Sequence, residues 1–88
     1  MTPIDLESSS LLLVDDDKTF CQVLSKALTK RGFDVSVAHS VEQAIPLAEA
    51  NPPEFAVLDL KMDGASGLVM VKKLHELGVT IYSTGGTQ

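Results

Sequence analysis

The sequence predicts an α/β fold in which a parallel sheet carries helices on both faces. Three observations lead there. Residues 11–14 and 55–58 are short, continuous apolar runs, as expected of buried parallel strands. Both runs end abruptly on carboxylates, Asp15-Asp16-Asp17 after the first and Asp59 after the second. Between and after them, helical and strand-like periodicities alternate in the order βαβαβαβ. Residues at the carboxyl ends of such strands face the crevice where open α/β sheets bind ligands. Two neighbouring strands would thus deliver several carboxylates to one spot. Bare carboxylates repel one another, so the cluster implies a hard cation with oxygen ligands, Mg²⁺.

Residues 1–10 are polar, contain Pro3 and lack periodicity, which predicts a flexible leader. After the first strand, Asp17 can cap a helix by accepting from its free N–H groups. Phe20, Val23, Leu24, Ala27 and Leu28 then recur at helical spacing and predict its apolar face. Lys30 and Arg31 suit the negative end of the helix dipole, and Gly32 can take the left-handed closing conformation. Residues 33–38 alternate apolar and polar, the pattern of an edge strand with one exposed face.

Ser40 and Gln43 match a capping box, opening a helix that buries Val41, Ala44, Ile45 and Ala48. Pro46 lacks an N–H, so a kink or a later helix start is expected. Pro52-Pro53 separates this helix from the central strand. Gly64 and Gly67 fit a turn into a third helix with Leu68, Met70, Val71, Leu74 and Leu77 on its apolar face. Gly78 closes that helix, residues 79–82 read as a fourth strand, and residues 83–88 as a small polar loop.

Eighty-eight residues suffice for one small domain, burying about 60–65% of its unfolded surface. The formal net charge of −5 argues against non-specific attraction to nucleic acid or an anionic membrane. No apolar run approaches a membrane span and no secretory signal is visible. The single cysteine, Cys21, cannot form an internal disulfide, which fits a reducing cytoplasm. It lies in a helical pattern and reads as a small buried side chain rather than a redox sensor.

Leu-Leu-Val-Asp-Asp-Asp before a helix, then Val-Leu-Asp-Leu-Lys-Met-x-Gly-x-x-Gly-Leu, resembles the receiver domain of two-component response regulators. The resemblance spans about residues 10–77 and is closest to the RegA/PrrA/ActR type. It implies a three-layer flavodoxin-like fold with strand order 2-1-3-4 over this stretch. It also implies a phosphorelay signalling module rather than an enzyme, with a sensor histidine kinase as partner. Asp59 matches the phosphoacceptor; the plainer alternative is a strand-ending aspartate that caps the next loop. Asp15 and Asp16 match the acidic pair that holds Mg²⁺, and the backbone carbonyl of Lys61 matches a third protein ligand beside Asp59. Asp17 is better explained as the helix cap. Asp63 stands where receivers commonly have proline.

Ser83-Thr84-Gly85-Gly86 admits several readings. Thr84 aligns with the hydroxyl that contacts the phosphoryl group in receivers and switches with it, and Ser83 is one residue away. Residues 75–88 are also similar to the methylglyoxal-synthase-like domain of the bifunctional purine-biosynthesis cyclohydrolase/transformylase. There, Ser-Thr-Gly-Gly-Thr cradles a phosphate after a parallel strand. The third reading is a polar stretch without a ligand. A complete receiver continues through a further helix, a fifth strand ending in lysine and a fifth helix, whereas here no lysine follows Lys73. Residues 11–88 are therefore expected to form a partial receiver with impaired phosphotransfer. The helix-turn-helix domain usual in RegA-type regulators has no counterpart, so no direct nucleic-acid partner is expected. The alternative is an engineered or recombinant α/β chimera, with residues 75–88 from another protein and no present function. An uncovered fourth strand, with apolar surface beside Phe20, Val23 and Leu24, predicts a homodimer or higher oligomer.

Overall fold

The computed structural model describes residues 9–59 and 64–84. They form β1 (Ser10–Val14), α1 (Lys18–Lys30), β2 (Asp34–Ala38), α2 (Val41–Ala50), β3 (Phe55–Asp59), α3 (Gly64–Glu76) and β4 (Thr80–Thr84). The four strands make one parallel sheet in the order β2-β1-β3-β4, as the sequence led us to expect. The Lys61 carbonyl, Asp63, Gly85, Gly86 and residues 1–8 of the expected leader lie outside the described residues. At the other end of that leader the expectation is corrected: Ser9 is buried and Ser10 already belongs to β1. Their carbonyls accept from the N–H groups of Asp34 and Glu54, which fixes them to the neighbouring strands.

Alternation along the strands divides the apolar side chains between two faces. Leu12, Val14, Ala56 and Leu58 pack with Val41, Ala44 and Ala48 of α2 and Met70 and Leu74 of α3. Leu11 and Leu13 pack on the other face with Cys21, Leu24 and Leu28 of α1. β1 is therefore buried on both sides, while β2 at the edge alternates exposed and covered residues. Met70 and Leu74 are fully buried; truncating either to alanine would cost about 2–5 kcal/mol.

Two helix faces differ from the sequence reading. On α1 the buried line runs through Cys21, Leu24 and Leu28, leaving Phe20 and Ala27 at the surface and Val23 64% exposed. On α3, Leu68 is 72% exposed, so the face is Met70, Val71 and Leu74, with Leu77 just beyond the helix. In both cases apolar spacing defines a stripe broader than the sheet can cover. Gly64 and Gly67 lie within α3 rather than in a turn before it. β4 starts at Thr80 and continues to Thr84, so Ser83 and Thr84 are strand residues rather than loop.

The helix ends follow from their sequences. Asp17 accepts from the Phe20 N–H at 3.0 Å and caps α1. Ser40 accepts from the Gln43 N–H at 3.2 Å and caps α2. The reciprocal arm of the expected box reaches one residue further back, since Gln43 Oε1 accepts from the His39 N–H at 2.9 Å. α1 and α3 close alike. Gly32 (φ 100°) and Gly78 (φ 78°) take the left-handed conformation, and the N–H groups of Phe33 and Val79 return to the carbonyls of Leu28 and Leu74.

Contrary to a later start, α2 begins at Val41 and runs through Pro46. The ring is exposed, but it cannot donate to the Glu42 carbonyl one turn earlier. Pro46→Ala restores that donor without disturbing a buried contact. We expect it to raise stability by about 1–3 kcal/mol, as the helix-interior cost of proline dictates. An unchanged or lower urea midpoint would count against this account of α2.

Candidate functional site

β1 and β3 are adjacent and parallel, with Val14 paired to Leu58. The next residues along the two strands are Asp15 and Asp59. The chain changes its winding direction between these strands, which makes their carboxyl ends the switch point of the sheet. Here the structure brings together three of the residues singled out from sequence. Carboxylate oxygens of Asp15, Asp16 and Asp59 all lie within 4.8 Å of one another. Asp15 is buried, Asp59 half-buried and Asp16 exposed, so the cluster grades from the sheet end outwards to solvent. Asp17 stands outside this group and serves α1 as its cap.

Asp15 is the most constrained of the three. Its N–H donates to the Ala38 carbonyl at 3.1 Å, tying it to the end of β2. Its carboxylate accepts from the Asp17 N–H at 2.9 Å. Burial pushes its carboxyl above the ordinary carboxylate value, the Asp17 N–H partly offsets this, and the nearby charges of Asp59, Asp16 and Asp17 push it up further. Such a group gains from a cation that restores a favourable ionised form. Three carboxylates converging from two strand ends offer the oxygen donors that a hard divalent ion takes, with coordination positions left for water. The donor set therefore fits Mg²⁺.

The Lys61 carbonyl, Gly85 and Gly86 lie outside the described residues. β4 nonetheless places Ser83 beside Leu58 and Thr84 beside Asp59 in register, so the backbone of both residues reaches the same end of the sheet.

Sequence reasoning missed two neighbours of the acidic cluster. The Cys21 thiol donates to the Asp15 carbonyl at 3.3 Å, and His39 Nδ1 lies 3.0 Å from the same oxygen. Helical spacing could have found the first, because Cys21 lies one turn from the Asp17 cap. No local signal announces the second, which joins residues 24 positions apart. Cys21 is buried and its thiol is pushed above the ordinary range, by desolvation first and then by Asp15, Asp17 and Asp16. It is thus a poor thiolate nucleophile, in keeping with the reading of a buried packing residue.

The family profile described as response regulator receiver domain matches residues 11–85. The photosynthetic apparatus regulatory protein RegA of Cereibacter sphaeroides is 48% identical over 67 residues, covering 76% of this chain and 36% of that protein. The acid tolerance regulatory protein ActR of Rhizobium meliloti is 43% identical over 66 residues, covering 75% and 34%. The chain thus spans about a third of the length of these curated relatives. A response regulator from Burkholderia pseudomallei, solved with a phosphorylated aspartic acid, a calcium ion and citrate, is similar at a TM-score of 0.77 and 32% identity. That match covers 85% of this chain and 45% of that one. The receiver domain of the hybrid histidine kinase CckA, at 23% identity and a TM-score of 0.72, shares the fold, with 90% of this chain and 88% of that one covered. With the flavodoxin-like strand order, the acidic switch point and a family match from the first strand to the last, the chain belongs to the response regulator receiver domain family.

Proposed function

We propose that Asp59 accepts a phosphoryl group and that Asp15, Asp16, Asp59 and the Lys61 backbone carbonyl hold the Mg²⁺ that assists the transfer. The observation that carries this is the convergence of three carboxylates within 4.8 Å at the switch point of the sheet. The phosphorylated aspartic acid and calcium ion of the Burkholderia pseudomallei regulator support it. Bound there, the cation supplies positive charge against the phosphoryl oxygens. Asp59 presents a carboxylate oxygen in line with phosphorus; the new O–P bond forms as the bond to the donor breaks, and the electron pair leaves with the donor. A sensor histidine kinase in the cytoplasm is the proposed donor, with a small acyl phosphate as substitute.

Ser83, Thr84, Gly85 and Gly86 are proposed to contact the phosphoryl oxygens, Thr84 as the hydroxyl that switches with phosphorylation. The likeness of residues 75–88 to the methylglyoxal-synthase-like domain supports the same phosphate role, because in both cases Ser-Thr-Gly-Gly comes at the carboxyl end of a parallel strand. It also supports a recombinant origin for that stretch.

The open half of the sheet supports self-association. α1 packs on β1 and β2, while Tyr82 on β4 is 56% exposed and meets Phe55 at 6.3 Å between ring centroids. Among the described residues, β4 pairs with β3 on one side only. A second copy would cover this edge and the neighbouring apolar surface.

Incubation with acetyl phosphate and Mg²⁺ should add at most one phosphoryl group, and only slowly, by intact mass to the wild type, in keeping with the impaired transfer expected from the sequence, and none to Asp59→Asn. In an NMR titration, magnesium should shift the amides of residues 15, 16 and 59, with weaker binding in Asp16→Asn and Asp59→Asn. Identical titrations in all three proteins would remove the proposed site.

Asp15 generates a prediction of opposite sign to that of a salt-bridged carboxylate. Its native pKa lies above the ordinary value of 3.8, so in that window the folded chain binds more protons than the unfolded one. Without a divalent cation, its contribution to stability therefore falls as pH rises from 3.8 through the raised native value. Asp15→Asn keeps an oxygen for the Asp17 N–H and should raise the denaturation midpoint at pH 7 in EDTA. The gain should vanish at pH 3 and reverse in saturating Mg²⁺; a loss of stability at pH 7 in EDTA would contradict the assignment.

Self-association is read by light scattering at micromolar concentration, where a dimer or larger species is expected. Tyr82→Lys should shift the distribution towards monomer, and a wild-type monomer throughout would sink the idea.

A further inference from the structure

A backbone carbonyl can only accept. The 3.0 Å contact between His39 Nδ1 and the Asp15 carbonyl therefore requires the proton to be on Nδ1. The same oxygen accepts from the Cys21 thiol at 3.3 Å, so it is held from α1 as well as from the β2–α2 junction. His39 is itself held: its N–H donates to Gln43 Oε1 at 2.9 Å, on the first turn of α2. A line of hydrogen bonds thus runs from Gln43 through His39 to the peptide group that follows the Asp15 side chain. That peptide belongs to the backbone that carries the Asp15 side chain, so holding it narrows the range of positions open to the carboxylate.

We propose that His39 is a positioning residue of the acidic cluster. It carries its proton on Nδ1 and fixes the Asp15 peptide, and Gln43 acts through it. The consequence for cation binding rests on the function proposed above; the tautomer and the peptide geometry do not.

The experiment uses the full 88-residue chain in two steps. Long-range ¹H–¹⁵N correlation at pH 8, in EDTA, should show the protonated ring nitrogen of His39 to be Nδ1, the less common tautomer of free histidine. The Asp15 carbonyl ¹³C resonance should move in His39→Ala and return towards the wild-type position in His39→Asn, whose side-chain amide nitrogen can stand where Nδ1 stood. In a magnesium titration, His39→Ala should bind about tenfold more weakly, at the lower end for loss of an outer partner of a ligand. His39→Asn should recover most of that loss. Gln43→Ala should weaken binding in the wild type and add nothing in His39→Ala, as expected of two residues on one line.

A proton on Nε2, or an Asp15 carbonyl resonance unmoved by His39→Ala, would overturn the positioning role. So would magnesium affinity in His39→Ala equal to that of the wild type. Were the wild type to take no magnesium, the proposed cation site would fail. The tautomer and the carbonyl resonance would still decide the role of His39.

Discussion

The placement of β1 between β2 and β3 is the constraint on which the rest depends. Leu11, Leu12, Leu13 and Val14 are all buried, so no face of this strand is left for a charge until Asp15. A strand covered on both sides must lie inside the sheet, and a parallel partner on each side requires crossovers through helices. Once Val14 is paired with Leu58, two aspartates meet at the sheet end with no further instruction. The acidic site is thus a by-product of register. A slip of β3 by one residue would turn Leu58 to the wrong face and separate Asp59 from Asp15.

Burial and charge oppose each other at Asp15. The residue is pinned through its N–H, its carbonyl and its carboxylate, by Ala38, by Cys21 and His39, and by Asp17. Those bonds hold a group whose carboxyl burial drives above its ordinary range. Pinning a costly group is a common property of binding sites, where order is set in advance of the ligand. Exposed Asp16 has no such constraint imposed by burial.

Much of this was legible in the chain itself. The two apolar runs ending on aspartate, the Asp17 and Ser40 caps and the Gly32 and Gly78 closures depend on residues within a few positions of each other. Each has one dominant physical reading. The misread features are those set by neighbours distant in sequence. Periodicity marked Phe20, Val23 and Leu68 as apolar, but which flank of the stripe meets the sheet is decided by helix rotation against strands read elsewhere. The extent of β4 followed from pairing with Leu58 and Asp59, which outweighed the turn-like composition of Ser83 and Thr84. His39 is invisible locally, since its partner lies across a helix and a strand.

The division of apolar side chains by the sheet has a consequence for the order in which the molecule loosens. The α2/α3 side holds most of the fully buried side chains, whereas the α1 side buries Leu11, Leu13 and Cys21 beneath half-covered neighbours. The two layers share backbone and little else, so α1 is the element least bound to the remainder. Amide exchange in such a molecule proceeds by sub-global opening, with the thinner layer lifting first. When α1 lifts, the Cys21 bond to Asp15 goes with it while His39 stays on the sheet. The hydrogen-bond line from α2 through His39 is therefore the restraint on the Asp15 carbonyl that remains when the thinner layer opens.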